Sequence, residues 1–87
     1  MKEIKTYPIV NVLWEDHVAY SGSWANEKII LKKLGSSPHL IENVGYLLKE
    51  TPEYLYLTDS VGCTGELGHS WKLLKKVVVK MEYLDKC

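Results

Sequence analysis

Phenylalanine is absent from this 87-residue chain, although three tryptophans and six tyrosines are present. An aromatic core ordinarily draws on phenylalanine, so a set made only of Trp and Tyr points to rings whose polar tips reach water or a partner. Cysteine is scarce: Cys63 and Cys87 are not spaced as a metal pair and are too few for a secreted disulfide scaffold, so a reduced, intracellular setting is the default. No run approaches the ~20 apolar residues that cross a bilayer, and Met1-Lys2-Glu3-Ile4-Lys5 lacks the apolar stretch of a signal peptide. The expectation is a soluble cytoplasmic protein with no membrane partner. Net charge is lacking too. Eleven basic residues balance eleven acidic ones, so no global field draws the chain to nucleic acid or anionic lipid.

With 46% hydrophobic and 25% charged residues, the chain has the composition of a folded domain. It carries no internal repeat, linker or low-complexity segment, which makes residues 1–87 a single small domain. A chain this short leaves much of its surface in water, and homo-oligomerisation is a natural remedy.

Along the chain, Tyr7 to Trp14 reads as a first strand, with Val10, Val12 and Trp14 on one face at period two. Residues 25–34 fit a short helix or a second strand equally well, and Gly35-Ser36-Ser37-Pro38 is a break. His39 to Glu50 and Tyr54 to Ser60 read as a β-hairpin turned at Thr51-Pro52, with Gly45 marking a bulge or sharp bend in the first arm. Val61 to His69, with three glycines, reads as a flexible loop. Trp71 to Lys76 reads as a short strand ending in a tight helical turn, and Val77 to Tyr83 as a final strand rich in β-branched residues. The sum is an all-β chain with one or two short helical turns, folded as a small open barrel of about five strands of the SH3-like or Sm-like kind.

The densest chemistry is the run Trp14-Glu15-Asp16-His17, followed by Tyr20-Ser21-Gly22-Ser23-Trp24. It lacks a hydrophobic period and reads as a functional loop. Asp16, His17 and Ser21 have the residue types of a hydrolytic triad, but a triad normally draws on separate elements and comes with an oxyanion hole, so turn chemistry explains them better. The three histidines, His17, His39 and His69, match no metal-ligand spacing. No catalytic residue, metal or cofactor is therefore expected, and the loop is a recognition surface. Trp14 is expected to anchor it in the core, with Asp16, His17, Tyr20, Ser21 and Trp24 offered to a partner.

A second group completes the expected binding surface. Trp71, Lys72 and Lys75 belong to a basic stripe with Lys76 and Lys80, whereas Glu15, Asp16, Glu50, Glu53 and Asp59 make the earlier part acidic. Lysines beside stacking aromatics suit a phosphate-bearing ligand, and equally suit protection of an edge strand. Charge segregation also permits subunits to pair.

The Trp14-Glu15-Asp16 loop with Ser21 and Trp24, together with Val44-Gly45-Tyr46-Leu47-Leu48-Lys49-Glu50 and Tyr54-Leu55-Tyr56-Leu57, resembles a group of small, mostly uncharacterised bacteriophage and prophage proteins. The resemblance spans roughly residues 9–80, and the stretch between Trp24 and Gly35 is longer and more basic here than in that pattern. It implies a compact β-fold, a phage origin and a place in the host bacterial cytoplasm. It further suggests a non-catalytic binding protein that acts on a host protein or sequesters a nucleotide-like signal of host defence. An Sm-like RNA-binding module is the alternative, which zero net charge disfavours.

Overall fold

The computed structural model describes residues 6–84 and builds them around one antiparallel sheet. Five strands, β1 (Ile9–Asp16), β2 (His39–Glu50), β3 (Tyr54–Thr58), β4 (Ser70–Leu74) and β5 (Val78–Leu84), are joined in the order β4-β3-β2-β1-β5. A helix α1 (Glu27–Leu34) lies between β1 and β2, and a single 3₁₀ turn (Lys75–Val77) leads into β5. The sheet does not close, since β4 and β5 are its two edges. This is the small, open, all-β arrangement that the strand pattern predicts.

Alternation sets the two faces. Val10, Val12 and Trp14 of β1 stand opposite Gly45, Asn43 and Ile41 of β2, and Leu55 and Leu57 of β3 stand opposite or beside Leu73 and Trp71 of β4. Six residues, Val10, Val12, Leu47, Leu55, Leu57 and Leu73, form the buried apolar centre, with Trp14, Trp71, Val77, Val78 and Met81 packed around it. The other face carries Leu13, Glu42, Tyr54, Tyr56 and Lys72, which are exposed or half-buried.

The hairpin turn follows from Thr51. Its hydroxyl accepts from the backbone N–H of Glu53 (3.3 Å) and Tyr54 (3.0 Å), while the Thr51 N–H donates to the Tyr54 carbonyl (2.9 Å).

Three expectations are corrected and one open reading is decided. The first strand runs on past Trp14 through Asp16, so Glu15 and Asp16 belong to β1 and not to a loop. The reason is the length of β2, which supplies a partner for each: Leu40 and His39. Gly45 is not a bulge, because its register with Val10 is regular and the irregularity falls between Leu47 and Lys49. Glycine is needed there for closeness: a Cβ would lie 2.9 Å from the Thr58 carbonyl oxygen and 3.3 Å from the Trp71 ring. Residues 59–69 are an ordered extension of the β3–β4 hairpin. Asp59 donates to the His69 carbonyl, Gly68 to Ser60 and Gly62 to Glu66, and Gly65 (φ 94°) turns the tip. Finally, the ambiguous stretch is helical from Glu27. The Asn26 side chain caps it by accepting from the Ile29 N–H (3.0 Å), and Gly35 (φ 73°) ends it by donating to the Leu31 carbonyl (3.1 Å).

Thr58 is the one buried polar residue among the described ones. Its hydroxyl lies within hydrogen-bond reach of the Ser60 and His69 carbonyls (3.2 and 3.1 Å) and accepts from the Ser70 hydroxyl (3.0 Å), tying the open end of the β3–β4 hairpin. Thr58→Val keeps the shape and deletes these bonds. A loss of about 1–2 kcal/mol is expected, read as a lower urea midpoint with an unchanged m-value.

Candidate functional site

The expected binding residues fall into two groups on different parts of the fold. Asp16, His17, Tyr20, Ser21 and Trp24 sit at the end of the β1–β2 hairpin, where the connection between Asp16 and His39 carries α1. Trp71, Lys72 and Lys75 sit on β4 and the 3₁₀ turn. The molecule is long, 64 × 25 × 23 Å.

The β1–β2 connection is an arm with little core of its own. No residue of α1 is buried. Ile30 and Leu34 are half-buried, whereas Ile29 and Leu31 are 46% and 59% exposed. Trp24, just before the Asn26 cap, is 104% exposed and so lies wholly in solvent. Around it the chain is organised by local bonds: the Tyr20 hydroxyl donates to the Ser23 carbonyl (2.7 Å), and the Asp16 carboxylate accepts from the His17 N–H (2.9 Å) with the imidazole Nδ1 3.3 Å away. No hydrogen bond joins Ser21 to His17, so a nucleophile–base pair is not assembled among the described residues. Nor do three or more His, Cys, Asp or Glu side chains among them form a group that could hold a metal.

Where the arm joins the sheet there are two shallow hollows. One of about 460 Å³ lies between Glu15–Val18 and Leu34–His39; the other, of about 370 Å³, lies between Glu15–His17 and Lys76–Val79. Asp16 and His17 line both. Tyr20, Ser21 and Trp24 line neither.

Trp71 belongs to a third hollow, an aromatic groove of about 430 Å³ whose walls are Trp14, Asn43, His69, Trp71, Lys72 and Leu73. The Trp14 indole N–H donates to Asn43 Oδ1 (2.7 Å), which fixes both side chains, and the His69 ring stacks on Trp71 with centroids 5.7 Å apart. The Trp71 Nε1 is buried without a hydrogen-bond partner. Asn43 and His69 were not legible as members of this groove, because β2 and the β3–β4 connection meet there only through the strand order.

The lysines are dispersed. Lys72 lies over the Tyr54 ring (4.5 Å to its centroid) on the outer face, Lys75 pairs with Glu50, and Lys80 pairs with Glu82 at 2.7 Å, an ion pair that raises the Lys80 pKa above its ordinary value. Since β4 and β5 are opposite edges of the strand order, these lysines do not form one continuous stripe. All eleven basic residues of the chain are lysine, so the bidentate phosphate grip of a guanidinium is also missing.

No helix among the described residues is long and apolar enough to cross a membrane. Cys63 is exposed and free, at the tip of the β3–β4 extension, and Cys87 lies outside the described residues. Compared with protein families, with curated proteins and with solved structures, the chain finds no significant match in any of the three.

Proposed function

We propose that this chain is a non-catalytic binding protein of the phage type, and that it works through protein–protein contact made by the arm between β1 and β2. The observation that carries the reading is Trp24, fully exposed beside a helix with no buried residue. A solitary eight-residue helix is marginal in water, and a bare tryptophan adds no stability to its own fold. Both make sense as a surface shaped for a partner, and Trp is the residue type most enriched at the energetic centre of interfaces.

The test separates a docking surface from a poorly packed piece of core. Serine at Trp24, Ile29 and Leu31 together is expected to leave the urea midpoint unchanged at sub-micromolar protein, where assembly contributes nothing to stability. A loss above about 1 kcal/mol would place these side chains in the folded core and end the reading.

A nucleotide-like ligand in the Trp14–Trp71 groove is the second reading, favoured by the flanking aromatic rings with Asn43 at the wall. Quenching of tryptophan fluorescence by a nucleoside monophosphate, absent in Trp71→Leu, is its expected signature. The Sm-like RNA alternative places stacked bases on Tyr54 and Tyr56 instead and requires binding that falls steeply with salt.

A further inference from the structure

We infer that the arm is covered by a second copy of this chain, in a two-fold pair where the helix of each copy lies on the arm's neck in the other. The inference rests on the reading of the arm as a docking surface and names its occupant. The first argument is exposure. Trp24, Val18, Ile29 and Leu40 are 104%, 47%, 46% and 45% exposed, all on the arm or at its base. Large apolar side chains left in water this close together are what an interface covers.

The second argument is that one chain carries both halves of a complementary surface. On α1, residues 29, 32 and 33 share a face by helical spacing, so the exposed Ile29 is flanked by Lys32 and Lys33, with Lys28 one turn before Lys32. Among the described residues none of the three lysines makes an ion pair; the ion pairs there are made by His17, Lys75 and Lys80. At the neck, the register sets Leu13 opposite Glu42 and Glu15 opposite Leu40 on the outer face of the β1–β2 ladder. That face carries two leucines and two glutamates, and Lys80 of β5, which stands beside Leu13, is neutralised by Glu82 at 2.7 Å. An apolar-and-basic helix face and an apolar-and-acidic strand face are matched in chemistry, yet α1 makes little contact with the strands of its own chain. In a two-fold pair each copy supplies both, which doubles every contact, and the zero net charge imposes no overall repulsion.

The experiment is charge reversal in the full chain. Sedimentation equilibrium of the wild-type protein is expected to give twice the 10.0 kDa chain mass at tens of micromolar. Lys32→Glu with Lys33→Glu is expected to weaken pairing at least about tenfold, as is Glu15→Lys with Glu42→Lys. Mixed in equal amounts, the two double variants are expected to restore a dimer containing one of each, because every helix then meets a neck of opposite charge. A wild-type chain that stays monomeric overturns the inference, as does a dimer indifferent to both reversals. A monomer that sediments with phosphatidylglycerol vesicles assigns the basic helix to a lipid surface and equally overturns it. The serine variants at Trp24, Ile29 and Leu31 report separately on whether the arm is a docking surface at all, so the two failures can be told apart.

Discussion

Trp14→Ala is expected to cost about 3–5 kcal/mol of folding stability, while Trp24→Ala changes it by less than about 0.5 kcal/mol. The two indoles lie ten residues apart and look alike as residue types, but they meet opposite surroundings. Trp14 continues the inward alternation of Val10 and Val12, packs against the buried centre and anchors its N–H on Asn43 Oδ1 at 2.7 Å. Truncation removes a large apolar body and also leaves Asn43 without its donor at a half-buried site. Trp24 touches no core residue and stands entirely in water. For a domain of this size each kcal/mol moves the midpoint by about 4–8 °C, so the two variants separate by more than ten degrees in a thermal melt. The comparison is made at low concentration, because a partner that covers Trp24 would add its own stabilisation. Equal melts would place Trp24 in the core and remove the arm from consideration as a recognition surface.

Strands were legible wherever side-chain alternation and turn chemistry agreed. The β2–β3 hairpin is the clearest case: the start and end of β2 are both fixed by sequence, at the Gly35–Pro38 break and at the Thr51 hydroxyl that organises the turn. The last strand follows from its valines and from the 3₁₀ turn that precedes it. Residues 25–34 looked equivocal because their apolar positions, Ile29, Ile30, Leu31 and Leu34, include a run of three and mark no clean face. The capping residues decide the matter. Asn26 is a strong N-cap, Glu27 and the Lys32–Lys33 pair match the helix dipole at its two ends, and Gly35 stops the helix in a positive-φ conformation. Weighing the caps above the period reads the segment correctly.

The site was legible in its residues and not in its assembly. Trp24 was expected at the surface and Trp14 in the core, and both positions hold. What could not be read was that the arm and the β4 residues would occupy separate places, because that depends on which strands become neighbours. The same strand order brings Asn43 and His69 to the Trp14–Trp71 groove, joining residues up to 59 positions apart in sequence. Charge counting was similarly limited. Lys72, Lys75 and Lys80 are near one another in sequence, but folding distributes them to Tyr54, Glu50 and Glu82.

Leu57→Ala is expected to lower stability by about 3 kcal/mol and the melting midpoint by roughly 12–24 °C. Leu57 is 1% exposed and stands directly opposite Leu47 on one side and Trp71 on the other. It is therefore the contact through which β2 and β4 are packed by way of β3. Only six apolar residues among the described ones are buried, so little neighbouring mass can flow into the space that a truncated leucine leaves. The cavity term then adds to the transfer term. A domain of this length has a total stability of about 4–13 kcal/mol, so the loss takes a quarter or more of it and near the lower bound leaves the protein partly unfolded at 37 °C. Loosening Leu57 also loosens Trp71, whose ring sits 3.3 Å from where a Gly45 Cβ would be and forms one wall of the aromatic groove. Tryptophan emission in Leu57→Ala should accordingly shift to the red below the melting transition. Val44→Ala provides the control on the same sheet: Val44 is 56% exposed and its truncation is expected to change stability by less than about 0.5 kcal/mol. If the two alanine variants melted together, the buried centre would not be organised around β3, and the fold would have to draw its stability from the arm.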